Sequence, residues 1–162
     1  MKEIHSYYLN IGSNIEPEKN LLKAIHLLAE HGDVQAFSNA WESNSIGAIG
    51  PNFLNACVLL STPLDTSELK EKIIIFIEKI LGRLRSKDKN APRTIDIDII
   101  MVDNNPFNLE RWNSPFVVLP LADLIPKFIH PTEHQILTEV ARKMKSQTWI
   151  IKREDILKNS IN

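Results

Sequence analysis

The sequence predicts a single α+β domain with a mostly antiparallel sheet, on three observations. Short apolar runs bounded by turn residues recur along the chain, at His5–Ile11, Val34–Trp41, Phe53–Thr62 and Ile95–Val102. Two segments between them carry apolar residues at helical spacing instead. The chain has 162 residues, 43% hydrophobic and 24% charged, which fits one compact domain over 1–162 with a sizeable core.

The elements follow in order. His5–Ile11 ends at Gly12-Ser13-Asn14, a strand and then a turn. Pro17 suits the first position of a helix, and Leu21, Leu22, Ile25, Leu28 and Ala29 keep its period until Gly32. Val34–Trp41 is a second strand, and a loop rich in Ser, Asn and Gly runs from Glu42 to Asn52. Phe53–Thr62 is the third strand. Asp65 and Glu68 form a capping pair before a second helix, whose stripe is Leu69, Ile73, Phe76, Ile77, Ile80 and Leu81. A basic loop, Arg83–Arg93, leads into Ile95–Val102, the strongest strand of all, β-branched and alternating. Beyond a turn-rich stretch, Phe116–Leu121 is short and apolar. Thr132 and Gln135 read as a second capping box, opening a helix through Ile136, Leu137, Val140 and Met144. Trp149–Ile151 is placed as a closing strand. The order is βαββαβ with a C-terminal helical extension, the ferredoxin-like arrangement. Many functions share it, so function has to come from particular residues.

Several classes lose support at once. A net charge of −1 gives no basic excess for nucleic acid, and the strand expected at the sheet centre carries two aspartates that would repel phosphate backbone. No apolar run approaches the roughly 20 residues of a membrane span. Nothing at the N-terminus reads as a signal peptide, and the single cysteine, Cys57, cannot form an internal disulfide, so a cytoplasmic protein is expected. His130 and His134 lack further ligands nearby and read as structural. Neither a Walker A loop nor Gly-x-Gly-x-x-Gly is present, so any nucleotide phosphates must be held by side chains and metal.

The sharpest chemical signal is Asp96-Ile97-Asp98. Residues two apart in a strand share a face, with α-carbons about 6.6 Å apart. Asp96 and Asp98 would therefore stand together, with Ile100 and Val102 further along that face. Ile95, Ile97, Ile99 and Met101 would make the core side. Adjacent carboxylates repel and resist burial, and a divalent cation of the Mg²⁺ type removes that penalty. Just upstream, Arg83, Arg85, Lys87, Lys89 and Arg93 put five cations within eleven residues. Metal-binding carboxylates beside clustered guanidinium and ammonium groups suit a polyphosphate, whose transfer spreads charge over phosphoryl oxygens.

With these motifs the chain resembles the 6-hydroxymethyl-7,8-dihydropterin pyrophosphokinases. The likeness is carried by Ile11-Gly12-Ser13-Asn14, by Phe53-Leu54-Asn55-Ala56, by Gly82-Arg83-Leu84-Arg85 and above all by Ala91-Pro92-Arg93-Thr94-Ile95-Asp96-Ile97-Asp98-Ile99. It implies an ATP-dependent diphosphotransferase of folate synthesis, in which a pterin hydroxyl attacks the β-phosphorus of Mg-ATP and AMP leaves. By the same resemblance, Asp96 and Asp98 hold two Mg²⁺ ions, while Arg83, Arg93 and Lys89 serve the catalytic loop and phosphates. Phe53 and Phe116 would stack on the pterin, with Asn55, Asn44 and Ile46 along its edge. Glu78, Arg85, Ile99 and Arg111 would lie by the nucleotide. The partners implied are ATP and a reduced pterin, with neither nucleic acid nor membrane, and a monomer is expected with oligomers left open. Lys89-Asn90 stands where the family usually has Arg-Trp, and the segment between Arg111 and Phe116 is short of several residues that normally help bind ATP. A weakly active or non-catalytic pterin-binding relative is the alternative these departures leave.

Overall fold

Strand β1 (His5–Ser13) lies between two antiparallel neighbours, β4 (Phe53–Thr62) and β5 (Asp96–Val102). Its central residues are buried on both faces, as a strand with layers above and below requires. The computed structural model describes residues 2–45, 50–84, 87 and 91–158. With β2 (Asp33–Phe37), β3 (Ala40–Ser43), β6 (Asn105–Pro106) and β7 (Ile150–Arg153), the sheet order is β6-β5-β1-β4-β3-β7, and β2 also pairs with β4. Every pairing is antiparallel.

The run Val34–Trp41 is two strands rather than one. β2 pairs with the far end of β4 and β3 with its near end. Between them Ser38 takes over the ladder, its N–H donating to the Cys57 carbonyl and its Oγ accepting from the Cys57 N–H, each at 2.8 Å. A serine hydroxyl can replace a backbone partner in this way, and the chain bends there.

On one face, α1 (Pro17–His31) packs Leu21, Ala24, Ile25 and Leu28 onto Tyr7, Leu9, Ile11, Ala56 and Val58. The second helical segment joins this layer. It begins with α2 (Thr66–Glu68), continues as a π-helical stretch over Leu69–Ile74 and ends as α3 (Ile75–Ile80). Asp65 and Glu68 form the expected capping box. The wider π turn rotates the stripe, so Leu69, Ile73, Ile74 and Ile77 are buried. Phe76 and Ile80, expected inside, are 43% and 52% exposed. Gly82, at φ 79°, closes the helix with paired bonds from Gly82 N–H to the Lys79 carbonyl and Arg83 N–H to the Glu78 carbonyl.

The opposite face is covered too. The apolar run after Ser114 is a helix, α4 (Pro115–Leu124), and it packs with α5 (Leu137–Gln147) over Tyr8, Cys57, Met101 and Trp112. Thr132 does not cap α5. That helix starts at Leu137 after Ile136 without a side-chain cap, and Thr132 instead donates its N–H to His130 Nδ1. In β5 the strict alternation fails as well. Tyr8 pairs with Met101 but Leu9 with Ile99, so Ile100 is a bulge residue. The bulge reverses the faces beyond it: Val102 joins the α1 core, whereas Ile100 and Met101 join the α4 core. No helix among the described residues is long and apolar enough to cross a membrane.

Candidate active site

The α4 side of the sheet changes character along β1 and its neighbours. Its apolar part ends at Tyr8, Cys57 and Met101, and the next rows are polar. Asn10 pairs in register with Asp98 on one side and Cys57 on the other, and Gly12 pairs with Asp96 and Asn55. A side chain at the latter crossing would displace the Asn55 amide, because a Cβ on Gly12 would lie 2.4 Å from Asn55 Oδ1. Two cavities open on this polar end. The first, of about 210 Å³, is walled by Phe53 and Phe116 and by the amides of Asn10, Asn44 and Asn55. The second, of about 250 Å³, is bordered by Lys70, Ile74, Glu78, Arg83 and Asn108. Arg93, Asp96, Asp98 and Arg111 line both.

The charged groups at this junction neutralise one another. Arg83 Nη1 is 2.5 Å from Glu78 Oε2 and 3.1 Å from Asp96 Oδ1, and Arg93 Nη1 is 3.0 Å from Asp96 Oδ2. Arg111 Nη2 is 3.7 Å from Asp98 Oδ2. Glu78, 5% exposed, also accepts the Ile97 N–H at 3.1 Å, which ties α3 to β5. Burial pushes the Asp98 carboxyl up to about 6, the Asp96 charge pushes the same way, and Arg111 opposes them. Asn14 fixes the approach of Arg93: its Oδ1 accepts the Arg93 N–H at 2.8 Å and its own N–H returns to the Arg93 carbonyl at 3.2 Å.

Among the described residues no group of three or more His, Cys, Asp or Glu forms a complete metal cage. Two side-by-side carboxylates with an open cavity on either side suit a hard cation that keeps waters and substrate oxygens in its shell, as Mg²⁺ does.

Residues 8–126 match the family described as 7,8-dihydro-6-hydroxymethylpterin-pyrophosphokinase (HPPK). The chain belongs to this family. It transfers pyrophosphate from ATP onto hydroxymethyldihydropterin, a step of folate synthesis. Among its relatives, the 2-amino-4-hydroxy-6-hydroxymethyldihydropteridine pyrophosphokinase of Aquifex aeolicus is 34% identical over 142 residues, 82% of this chain and 88% of that one. The enzyme of the same name from Synechocystis sp. is 29% identical over 154 residues, covering 88% and 78%. The HPPK-DHPS of Plasmodium falciparum, crystallised with SDX-DHP, has the same fold at a TM-score of 0.68 and 14% identity. That match covers 91% of this chain but 46% of the Plasmodium chain, so this pyrophosphokinase spans less than half of it.

Most of the site residues expected from sequence meet at the junction of the two cavities. Asp96, Asp98, Arg93 and Arg111 line both, Asn44, Phe53, Asn55 and Phe116 the first, and Glu78, Arg83 and Ile99 the second. Ile99 turns its side chain into the α1 core, and its carbonyl accepts from Asn108 Nδ2 at 3.0 Å. Ile46, Arg85 and Lys89 lie outside the described residues. Sequence reasoning missed Asn10, Lys70 and Asn108, and marked Asn14 only through the Ile11-Gly12-Ser13-Asn14 stretch, without a role. The strand pattern gave a signal for Asn10, an amide in an otherwise apolar run, Tyr7-Tyr8-Leu9-Asn10-Ile11. Nothing local marks the other two.

Proposed function

We propose that the first cavity binds the pterin and the second the triphosphate of ATP, with Asp96 and Asp98 holding two Mg²⁺ ions between them. The observation that carries this is the shared wall: an aromatic and amide cavity meets a cationic one over two carboxylates. Phe53 and Phe116 supply the flat apolar faces that a fused heteroaromatic ring needs, and Asn44 and Asn55 offer donors and acceptors to its edge. Lys70, Arg83, Arg93 and Arg111 border the other cavity, where transferred charge develops.

Charge accounting supports the metal. Three guanidiniums already face the three carboxylates Glu78, Asp96 and Asp98. ATP adds about four negative charges, which two divalent cations balance. The ions, when bound, supply charge neutralisation of the bridging phosphoryl oxygens. The chain's own groups do the rest. The aromatic pair and the amides fix the pterin so that its hydroxymethyl oxygen faces the shared wall. The hydroxyl oxygen forms a bond to the β-phosphorus, the bond from that phosphorus to the α-phosphate oxygen breaks, and the hydroxyl proton is lost as AMP departs. Positioning supplies much of the rate. With Asp96 and Asp98 engaged by the ions, Arg93 and Arg111 would be available to the phosphates, while Arg83 keeps its pair with Glu78 beside them. By the same reading Arg85 and Lys89 serve the phosphates, and Ile46 the pterin edge. The strand order and directions fit a ferredoxin-like core, with β2 and β3 together as its second strand.

The test is AMP release from Mg-ATP with and without 6-hydroxymethyl-7,8-dihydropterin, in the wild type and in Asp96→Ala and Asp98→Ala. Pterin-dependent AMP in the wild type and its loss by at least about a hundredfold in both variants is the expected result. Unchanged turnover in either folded variant would sink the assignment.

A further inference from the structure

The first cavity lies where two of its wall strands run out. Ser43 and Phe53 both line it, and they form the last pair of the β3–β4 ladder. A terminal pair has ladder partners on one side only, so the ladder alone holds the Phe53 ring loosely. Glu42, next to Ser43, alternates to the opposite face of the sheet, behind the cavity. Its Oε2 accepts from Asn52 Nδ2 at 2.9 Å, which ties the residue before Ser43 to the residue before Phe53. Nearby, Ser45 Oγ and Asn14 Nδ2 approach the Gly50 and Pro51 carbonyls only at 3.4 and 3.5 Å.

The other oxygen of Glu42 is held from far along the chain, by a residue outside the 8–126 that match the family. Arg153 ends β7 and pairs in register with Ala40, a residue of the α1 core, so its side chain rises on the same face as Glu42. Its Nη1 is 2.5 Å from Glu42 Oε1, and its Nε and Nη2 are each 3.3 Å from an Asp155 oxygen. Glu18 of α1 lies 3.8 Å from Nη2. One guanidinium thus faces three carboxylates. Without it they repel one another, and Glu42 turns towards water and away from Asn52. We propose that Arg153 is a positioning residue for the pterin: through Glu42 and Asn52 it clips the two strand ends together and fixes the Phe53 ring from the far face of the sheet. It touches neither substrate. A partly exposed ion pair adds little to the stability of the fold, but a small shift of a stacking wall is costly to the ring bound on it. The described lining of the second cavity includes none of Glu42, Asn52, Phe53 and Arg153, so the effect falls on one substrate. The inference rests on the placement of the pterin in the first cavity.

Steady-state kinetics of the full chain with each substrate varied in turn test this, with thermal unfolding alongside. Arg153→Ala should raise the pterin KM about three- to tenfold and leave kcat and the Mg-ATP KM within about twofold. Its melting temperature should stay within about 4 °C of the wild type. Arg153→Lys, which keeps a positive charge for Glu42, should recover most of the loss. Asn52→Ala should raise the pterin KM by a similar factor, and the double variant no further than the larger single change, because both break one clip. Factors that multiply in the double variant would mean that Arg153 acts by another route. An unchanged pterin KM in Arg153→Ala, or equal rises for both substrates with a lowered melting temperature, would mean that Arg153 only braces the fold. Any of these overturns the inference. Phe53→Ala separates it from the cavity assignment. If that variant raises the pterin KM while Arg153→Ala does not, the assignment stands and this inference fails. If it leaves the pterin KM unchanged, the assignment fails with it.

Discussion

Asp98 shows how a single residue can be costly to the resting protein and still be kept. Its carboxyl is raised from its ordinary 3.8 to about 6, first by burial and then by the neighbouring Asp96 charge. The folded state therefore holds this proton more tightly than the unfolded state. As pH rises from about 4 to about 6 the unfolded chain releases the proton first, stability falls, and above 6 the penalty is fully in place. Asp98→Asn removes the ionisation. In the metal-free protein at pH 7 it should raise stability by about 1–3 kcal/mol, a gain that shrinks towards zero at pH 4, as read by urea unfolding across that range. A constant difference at every pH would refute the burial argument. The same sign applies to cation binding, which must displace the proton: apparent Mg²⁺ affinity should fall as pH drops below 6. Gly12 makes a steric counterpart. Its Cβ position is 2.4 Å from Asn55 Oδ1, so Gly12→Ala must push the Asn55 amide aside. Pterin KM should rise at least about tenfold with kcat changed less, and an unaltered KM would show that Asn55 yields without loss.

At the scale of elements, the bulge in β5 links the strand to the site. The extra residue leaves the carbonyls of Ile99 and Ile100 turned away from β1. Asn108 Nδ2 takes the first, while Trp112 Nε1 and the Phe107 N–H take the second. Trp112 is fully buried, and its own carbonyl receives His130 Nε2 at 2.7 Å. His130 Nδ1 meanwhile accepts the Thr132 and Glu133 N–H groups, which fixes the tautomer with its proton on Nε2. The turn over Leu109–Asn113 is thus anchored on both sides, and Arg111 stands on it facing Asp98. Trp112→Phe removes the indole N–H and leaves a smaller ring in a fully buried site. It should cost about 2–4 kcal/mol in urea unfolding, because the Ile100 carbonyl loses its indole donor and a void opens, and the KM for Mg-ATP should rise several-fold as Arg111 loosens. Stability and KM both unchanged would mean that the Phe107 N–H suffices. None of this was legible beforehand. Alternation places Asp96, Asp98 and Ile97 on the faces where they stand, but no local sequence feature announces the bulge at Ile100, so strict alternation puts Met101 and Val102 on the wrong faces. The apolar run at Phe116–Leu121 could not be told between helix and strand, since both bury short apolar stretches.

Across the whole molecule, what sequence showed well was what local chemistry dictates: the bounds of β4, the Asp65/Glu68 cap, and the pairing of two aspartates with nearby cations. What it missed depends on distant partners. α4 and α5 cover the apolar end of the face on which Asp96 and Asp98 sit, and burial at its polar end raises the Asp98 carboxyl. The same architecture couples the two cavities. Arg93, Asp96, Asp98 and Arg111 belong to both linings, and in the ligand-free protein they are tied to one another. On the proposed placement of the two substrates, filling the cationic cavity with Mg²⁺ and a nucleotide would break those ion pairs and reset the wall against which the pterin lies. The pterin should therefore bind at least about fivefold differently with a non-hydrolysable Mg-ATP analogue present than without it. By linkage the analogue's affinity must change by the same factor when the pterin is added first. Titration calorimetry in both orders measures this directly. Metal-free nucleotide should give a much smaller factor, because without cations the guanidiniums stay on Asp96 and Asp98. A factor of one in both orders would show that the shared residues act as a fixed partition, and the ion pairs would then have to persist in the complex.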